Sequence, residues 1–266
     1  MASAGIAYGE RRFGAAYTVR LSVTVLVLAL LAGIWGEASD KPATAANGTL
    51  MWISIFIIGA LALLWIVLGK SALIINNAGV RCESLFGQEE VAWNEITETR
   101  YRVVPINVYA HFGLIGALIA MASKSSKSSR AHLTLTLLSG NGKKLKVTSN
   151  YRHADEAIGI ILERILPAKV QDVKGRLQRG ETVKFGSIGL SATVVTWKNT
   201  SIPISEITKA ELAGSNLQIK KQNKWTSAVS VRSDKVPDVL VFLEVLESLA
   251  PQVKASGVDP LARVRI

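Results

Sequence analysis

Two uninterrupted hydrophobic runs lie near the N-terminus, and short alternating stretches follow them. The second run, residues 50–69, holds twenty residues without a charge. As a helix it would measure about 30 Å, which matches the hydrocarbon thickness of a bilayer. The first run, residues 21–36, would reach only about 24 Å. We predict two transmembrane helices here, and a cleaved signal peptide is the alternative for the first run.

The basic residues that flank these runs predict their orientation. Three arginines precede the first run and Lys70 follows the second, whereas the connecting loop 37–49 carries one Lys against one Glu and one Asp. Because loops rich in Lys and Arg stay in the cytoplasm, the N-terminus 1–20 and the chain after Lys70 are predicted to be cytoplasmic, and loop 37–49 extracytoplasmic. The predicted location is the inner (plasma) membrane, with a multi-pass topology.

After Lys70 the pattern changes to alternating apolar and polar residues broken by turn residues, which is typical of strands. Asn141-Gly142 between two such stretches is a strong hairpin signal. A helix with one apolar face is predicted at 154–166, ended by Pro167. The predicted strands before that helix are residues 72–77, 80–85, 91–103, 132–138 and 144–149.

The second half of the chain repeats the order of strands followed by one helix, here predicted at 236–250. Glu95-Ile96-Thr97 recurs as Glu206-Ile207-Thr208, and Leu162-Glu163 recurs as Leu246-Glu247. The offset between the copies is larger for the first of these matches than for the second, which indicates an insertion in the first copy.

Only one segment between the matched points of the first copy does not read as strand, so the insertion is placed at 104–130. The domain prediction is a first module at 71–167 that carries this loop, a second module at 170–251 and a tail at 252–266.

The motif Trp93-Asn94-Glu95-Ile96, two preceding hydrophobic helices and a closing amphipathic helix resemble bacterial pleckstrin-homology-like membrane proteins over about residues 50–250. The second copy has Ile204 where the Trp would be. The resemblance implies a membrane α-helical hairpin followed by a mostly-β, α+β part. That part would hold two tandem pleckstrin-homology-like modules, each a strand-rich sheet or barrel with a C-terminal helix. It implies no particular activity, because this fold serves many binding roles.

The residues that could carry chemistry do not form a recognisable catalytic pattern. His111, His132 and His153 lack metal-ligand spacing, and the single cysteine, Cys82, excludes an intramolecular disulfide. The sequence also lacks phosphate-loop and nucleophile-elbow motifs. We predict a protein that is not an enzyme, with no catalytic, metal or cofactor-binding residues and no cofactor.

The charge pattern indicates an anionic partner. The formal net charge is +11, and the stretch between Glu98 and Asp155 contains no acidic residue. Such one-signed surfaces attract anionic partners, and anionic lipid headgroups are the predicted ones. Nucleic acid is not expected, because aromatic stacking positions are few. The basic residues of the stretch are Arg100, Arg102, Lys124, Lys127, Arg130, Lys143, Lys144, Lys146 and Arg152.

The inserted loop combines an apolar half with a basic half. Residues 112–122 would measure about 16 Å as a helix, too short to cross a bilayer but apolar enough to enter its interface. The Ser-rich tract after them places cations at headgroup height. The predicted membrane-interface residues are Phe112, Leu114, Ile115, Leu118, Ile119, Met121, Lys124, Lys127, Arg130, Lys143 and Lys144.

These observations predict a membrane-anchored, non-enzymatic binding or assembly module that presents pleckstrin-homology-like domains at the cytoplasmic membrane surface. The alternative is an accessory subunit of a membrane transporter or enzyme complex, in which residues 112–122 contact a protein partner in the membrane.

Overall fold

The structure is a computed structural model of the chain, and it describes residues 10–14, 24, 31, 46–69, 71–84, 87–105, 131–222 and 226–256. The described residues form four sheets and three helices longer than one turn. Contacts divide the chain into two compact units. The first is residues 1–90 with 150–153, and the second is residues 91–149 with 154–256 and the remaining C-terminal residues.

The first unit is built on a sheet whose strand order is β1-β2-β3-β4. β1 precedes the hydrophobic runs, yet it pairs antiparallel with β2, which follows them, and Phe13 of β1 lies opposite Leu73. Both side chains are buried, so β1 contributes to the core of this unit. The elements are β1 (Arg11–Gly14), helix α1 (Ala46–Gly69), β2 (Ala72–Ile75), β3 (Gly79–Ser84) and β4 (Gly87–Ala92).

Helix α1 contains the second hydrophobic run. Its side chains are described at residues 52–63 and 65, and among them Ser54 is buried. The indole Nε1 of Trp65 donates a hydrogen bond to Thr24 Oγ1 at 2.7 Å, which joins α1 to the first run. The rest of the first run, apart from Leu31, lies outside the described residues.

None of the helices in the described ranges has both the length and the apolar composition needed to cross a membrane. The predicted fold class, a transmembrane helical hairpin at 21–36 and 50–69 followed by tandem pleckstrin-homology-like modules, is therefore wrong. The multi-pass topology and the inner-membrane location based on it are wrong as well. The length and the apolar composition of a run predict a span from the sequence alone, and they do not by themselves establish that the segment crosses a membrane.

The first half of the second unit is a three-stranded antiparallel sheet with the order β5-β6-β7. Leu135, Leu137, Leu145 and Val147 are fully buried on one side of it, as strand alternation requires. A 3-10 turn at Trp93–Glu95 precedes the sheet. The elements are β5 (Ile96–Pro105), β6 (Ala131–Ser139), β7 (Lys144–Thr148) and helix α2 (Ala154–Gln178).

The second half of this unit repeats the order of strands and helix. One sheet has the order β11-β10-β9-β8 and the other β14-β13-β12-β15. Among the described strands of these two sheets, only the β12–β15 pairing is parallel. Helix α3 (Val239–Leu249) places Phe242 edge-on against Phe185 of β8, with ring centroids 5.4 Å apart. The strands are β8 (Val183–Phe185), β9 (Ile188–Leu190), β10 (Val194–Trp197), β11 (Thr200–Pro203), β12 (Ile207–Ala213), β13 (Asn216–Lys221), β14 (Ser227–Arg232) and β15 (Lys254–Ser256).

The repeated Glu-Ile-Thr motif makes the same hydrogen bonds in both copies. The threonine hydroxyl donates to a carbonyl of the next strand at 3.3 Å, from Thr97 to Leu138 and from Thr208 to Lys220. The sequence separations of these pairs are 41 and 12, so the first copy has the longer chain between matched contacts. The extra length lies between β5 and β6. The domain boundaries predicted at 71–167 and 170–251 stay a prediction.

Helix α2 does not end at Pro167 as predicted, but continues to Gln178. A proline inside a helix removes one backbone hydrogen bond. Beyond it, Val170, Val173 and Leu177 are buried at helical spacing. Their burial offsets the lost hydrogen bond, and the sequence prediction gave the proline too much weight.

Candidate anion-binding face

The outward side of sheet β5-β6-β7 carries four cationic side chains, Arg100, Arg102, Lys144 and Lys146, which we call the basic face. The strand register places Arg100 opposite Thr136, which in turn lies opposite Lys146. Arg102, Thr134 and Thr148 form the neighbouring cross-strand row. Residues in such rows lie about 5 Å apart, so the four cations belong to one continuous surface.

Strand alternation explains why these cations share one side. Tyr101 lies between the two arginines and Leu145 lies between the two lysines, and both of these apolar side chains are buried. Since successive side chains point to opposite faces, the residues on either side of a buried position face outward. Thr136 is only 7% exposed although it lies on the outward side, because the long side chains of Arg100 and Lys146 flank it.

The cations of the basic face are only partly neutralised. Arg100 forms an ion pair with Glu98, the carboxylate of the adjoining row. Arg102 and Lys144 have no ion pair within 4.0 Å in the described ranges. The Nε atom of Arg102 is buried and lacks a hydrogen-bond acceptor among the described atoms. An unpaired buried donor costs about 1–3 kcal/mol. Because this atom is buried, an anion outside the sheet acts on Arg102 through its charge and does not contact Nε.

The sequence-predicted interface residues fall partly on this surface. Lys144 begins β7 and is exposed, and the exposed Lys143 precedes it in the β6–β7 turn, where its backbone N–H donates to Asn141 Oδ1 at 3.1 Å. Gly142 of this turn has a φ of 84°, which glycine adopts without strain. The other predicted interface residues lie outside the described ranges: Phe112, Leu114, Ile115, Leu118, Ile119, Met121, Lys124, Lys127 and Arg130.

Three members of the basic face, Arg100, Arg102 and Lys146, were recognised in the sequence as part of a basic stretch but were not assigned to a site. The alternations Arg-Tyr-Arg in β5 and Lys-Leu-Lys in β7 are the signal that could have found them. A period of two with an apolar centre puts both flanking cations on one side of a strand.

On the matched face of the second copy, on strands β12, β13 and β14, three cations lie within 4.0 Å of two carboxylates. Lys209 lies 2.6 Å and Lys220 lies 4.0 Å from the carboxylate of Glu211. Arg232 binds both carboxylate oxygens of Asp234, at 3.0 and 2.6 Å, and its hydrogen bonds hold the pKa of Asp234 below its ordinary value. Each of these cations therefore has a carboxylate partner.

A clasp centred on Asp238 fixes the edge strand β5 that carries the two arginines. Asp238 Oδ1 accepts hydrogen bonds from the backbone N–H of Thr99 at 2.9 Å and from its hydroxyl at 2.8 Å. The backbone N–H of Asp238 donates to Thr99 O at 2.7 Å. Lys169 Nζ of α2 lies 2.8 Å from the same Oδ1 and donates to Thr97 O at 2.7 Å. The clasp gives β5 a partner along its outer edge and thereby positions the basic face.

The titratable pair Cys82 and Tyr151 of the first unit does not have the properties of a nucleophile and its base. Tyr151 Oη donates to Cys82 Sγ at 3.6 Å. Burial raises the pKa of both groups, so both stay protonated near neutral pH and the reactive thiolate is disfavoured.

In the described part of the chain, no group of three or more His, Cys, Asp or Glu side chains is placed to hold a metal ion.

A second exposed surface is apolar and lies on helix α1. Trp52, Phe56 and Leu63 are 68%, 79% and 64% exposed. Exposed apolar side chains adsorb to many surfaces without regard to charge, so a test of the basic face has to separate the two contributions.

One family model matches residues 6–255, nearly the whole chain, and the family is described as a family of unknown function (DUF6585). No curated protein matches the sequence. The matched family has no assigned role, and the resemblance to pleckstrin-homology-like proteins stays a prediction.

Proposed function

The chain belongs to this family of unknown function, DUF6585, and from its own residues we propose that it is a non-enzymatic binding module that attaches to anionic lipid surfaces through the basic face. The observation that carries the proposal is the unequal neutralisation of two matched surfaces. Arg102 and Lys144 on the first sheet form no ion pair within 4.0 Å in the described ranges, although the charge of Arg102 acts on Asp234. Lys209, Lys220 and Arg232 of the second sheet each lie within 4.0 Å of a carboxylate.

The chemistry of the basic face supports binding rather than catalysis. Its side chains are those of Lys, Arg and Thr, and its carboxylate Glu98 is engaged by Arg100. Such a face attracts an anionic surface by summed charge, and each Lys or Arg near an anionic leaflet contributes about 1 kcal/mol. Residues 99–154 contain no acidic residue, so the stretch adds to the positive electrostatic potential of the chain. Attraction by this potential does not need a catalytic group.

The test exchanges residues between the two copies. The register matches Lys144 to Ser227 and Lys146 to Ser230, so Lys144→Ser with Lys146→Ser gives the first sheet the residues of the second. Binding of the full chain to vesicles of phosphatidylglycerol and phosphatidylcholine is measured by flotation. Two lysines at about 1 kcal/mol each predict a loss of affinity of about thirtyfold.

Lys209→Ser with Lys220→Ser is the matched control, because it removes the same charge from the second sheet. It should leave vesicle affinity within about twofold of the unaltered chain, since the proposal places the lipid at the first sheet and not at the second. Vesicles of phosphatidylcholine alone measure the charge-independent adsorption of helix α1. Equal losses for the two double variants would show that only net charge matters, and an unchanged affinity for the first would refute the proposal.

A further inference from the structure

We propose that helix α1 is the contact surface of a homodimer, in which α1 of one chain packs against α1 of a second copy. The contact residues are Trp52, Phe56, Gly59 and Leu63, which we call the outer seam. This inference goes beyond the proposed function and does not depend on it, because α1 belongs to the first unit and the basic face to the second.

The outer seam has the spacing of a helix–helix contact. Its residues are separated by four, three and four positions, so they lie along one side of the helix. Trp52, Phe56 and Leu63 are also the three most exposed of the large apolar side chains in the described ranges. Such a regular seam is expected where a second helix packs.

The opposite side of α1 contacts its own chain. Ser54 is buried, and the indole Nε1 of Trp65 donates its hydrogen bond to Thr24. Ser54 and Trp65 lie about three turns apart on the helix and therefore share one side. Ser54 is two positions after Trp52, a rotation of about 200°, so that side points away from the outer seam. The helix can keep its contact with its own chain while the seam binds a partner.

The exposed apolar area of α1 is that of an interface. The exposed large apolar side chains of the helix are Trp52, Ile53, Ile55, Phe56, Ile58 and Leu63. At about 150–250 Å² for each side chain when fully exposed, they present on the order of 700 Å². The largest apolar patch of a monomer is typically about 300–600 Å², and each partner of a stable complex buries about 800 Å². The area therefore exceeds that of a typical monomer and approaches one side of a stable interface.

Gly59 allows a second helix to approach closely. A Cβ atom added at this position would meet no heavy atom of the described chain within 4 Å, so the space beside Gly59 is open. Glycine is unfavourable in the middle of a helix, and it is useful there where another backbone comes near. A lipid phase gains no contact from a glycine. The glycine in the seam thus favours a helix as the partner.

The charge of the chain favours a second copy at this surface. Two chains that each carry a net charge of +11 repel one another, and the repulsion between facing groups is weakest where the contact surface has no charge. Residues 46–69 contain no charged residue. A helix with a regular apolar seam is also complementary to itself across a two-fold axis. The seam therefore meets the requirements of an isologous contact.

The test measures the oligomeric state of the full chain by sedimentation velocity over a range of concentrations. The unaltered chain should form a dimer and no larger species, because an isologous contact closes at two copies. Leu63→Ala should raise the dimer dissociation constant about thirtyfold, since the symmetric contact loses the leucine twice. Ile58→Ala is the matched control. Ile58 is 56% exposed against 64% for Leu63 but lies off the seam, so the constant should stay within about threefold.

The outcomes separate the seam from other uses of α1. A dimer that is weakened by Leu63→Ala and not by Ile58→Ala supports the inference. A chain that stays monomeric refutes it, and if that chain still binds phosphatidylglycerol vesicles, the proposed function stands. Equal weakening by the two variants, or growth beyond two copies, would overturn the seam in favour of unspecific apolar association. A monomer whose binding to phosphatidylcholine vesicles falls equally in both variants would assign α1 to lipid instead.

Discussion

Strands β5, β6 and β7 and their counterparts β12, β13 and β14 share their internal contacts and differ in their surfaces. In both sets, the threonine hydroxyl of the Glu-Ile-Thr motif donates a hydrogen bond to a backbone carbonyl of the neighbouring strand. The backbone carbonyl of the motif's glutamate also accepts a hydrogen bond in both sets, from the N–H of Gly140 in the first and of Gln222 in the second. The outward faces diverge, because Arg100 and Arg102 of the first sheet correspond to Glu211 and Ala213 of the second. The two sheets thus share these internal contacts and differ in the residues of their outward faces.

The edges of the two sheets also differ. In the second sheet, β15 pairs in parallel with β12 and covers its outer edge. In the first sheet, the corresponding edge of β5 is covered by the Asp238 clasp. The edge of β12 is covered by a strand, and the edge of β5 is covered by the backbone and side chain of Asp238, so the first sheet depends more strongly on a single residue.

The largest expected effect follows from removing that residue. Asp238→Ala leaves the part-buried Lys169 ammonium and the Thr99 hydroxyl without their shared acceptor, and we expect a loss of about 3 kcal/mol in the free energy of unfolding. Chemical denaturation measures this loss. Asp238→Asn keeps the shape and tolerates the positive φ of 49°, so its loss should be smaller, about 1–2 kcal/mol. An Asp238→Asn variant that is as stable as the unaltered chain would mean that the charge on Asp238 is irrelevant.

A smaller effect tests the equivalence of the two copies. Thr97→Val and Thr208→Val each remove one hydrogen bond of 3.3 Å from an exposed threonine, and each should cost about 0.5–1 kcal/mol. Chemical denaturation of the two variants should give free energies that agree within about 0.5 kcal/mol. A large difference between them would show that the shared contacts do not stabilise the copies equally.

The smallest effect concerns the neutralised face of the second sheet. Arg232 holds the pKa of Asp234 below its ordinary value, so the folded state favours the carboxylate. Its contribution to stability is present above the unfolded pKa of about 4 and is lost as the pH falls through the lower folded value. Unfolding free energies of the unaltered chain and Asp234→Asn should differ at pH 7 and converge near pH 2. A difference that persists at the lower pH would contradict the ion-pair assignment.

The sequence predicted local elements well because their signals are local. The strands expected at 72–77, 80–85, 132–138 and 144–149 are confirmed as β2, β3, β6 and β7. Asn141-Gly142 forms the expected turn between β6 and β7. Period-two alternation and turn chemistry are properties of a few adjacent residues, so they can be read without the fold.

Elements that depend on distant partners were not predicted. β1 is only four residues long, and it forms a strand by pairing with β2, which lies more than fifty residues later in the chain. The stretch 91–103, expected to be one strand, is broken by the 3-10 turn at Trp93–Glu95. The basic face likewise depends on the register that brings β5 and β7 to either side of β6. Sequence reasoning found its charges but could not place them on one surface.

The most direct test of the central claim asks which sheet face meets the lipid. A photoreactive side chain is placed at Leu138 on the outward side of the first sheet and, in a separate variant, at Gln218 on the outward side of the second. Both positions are uncharged, so neither variant alters the net charge of +11. On phosphatidylglycerol vesicles we expect lipid adducts from position 138 and few from position 218. Equal lipid labelling at the two positions, or lipid labelling at 218 alone, would contradict the account.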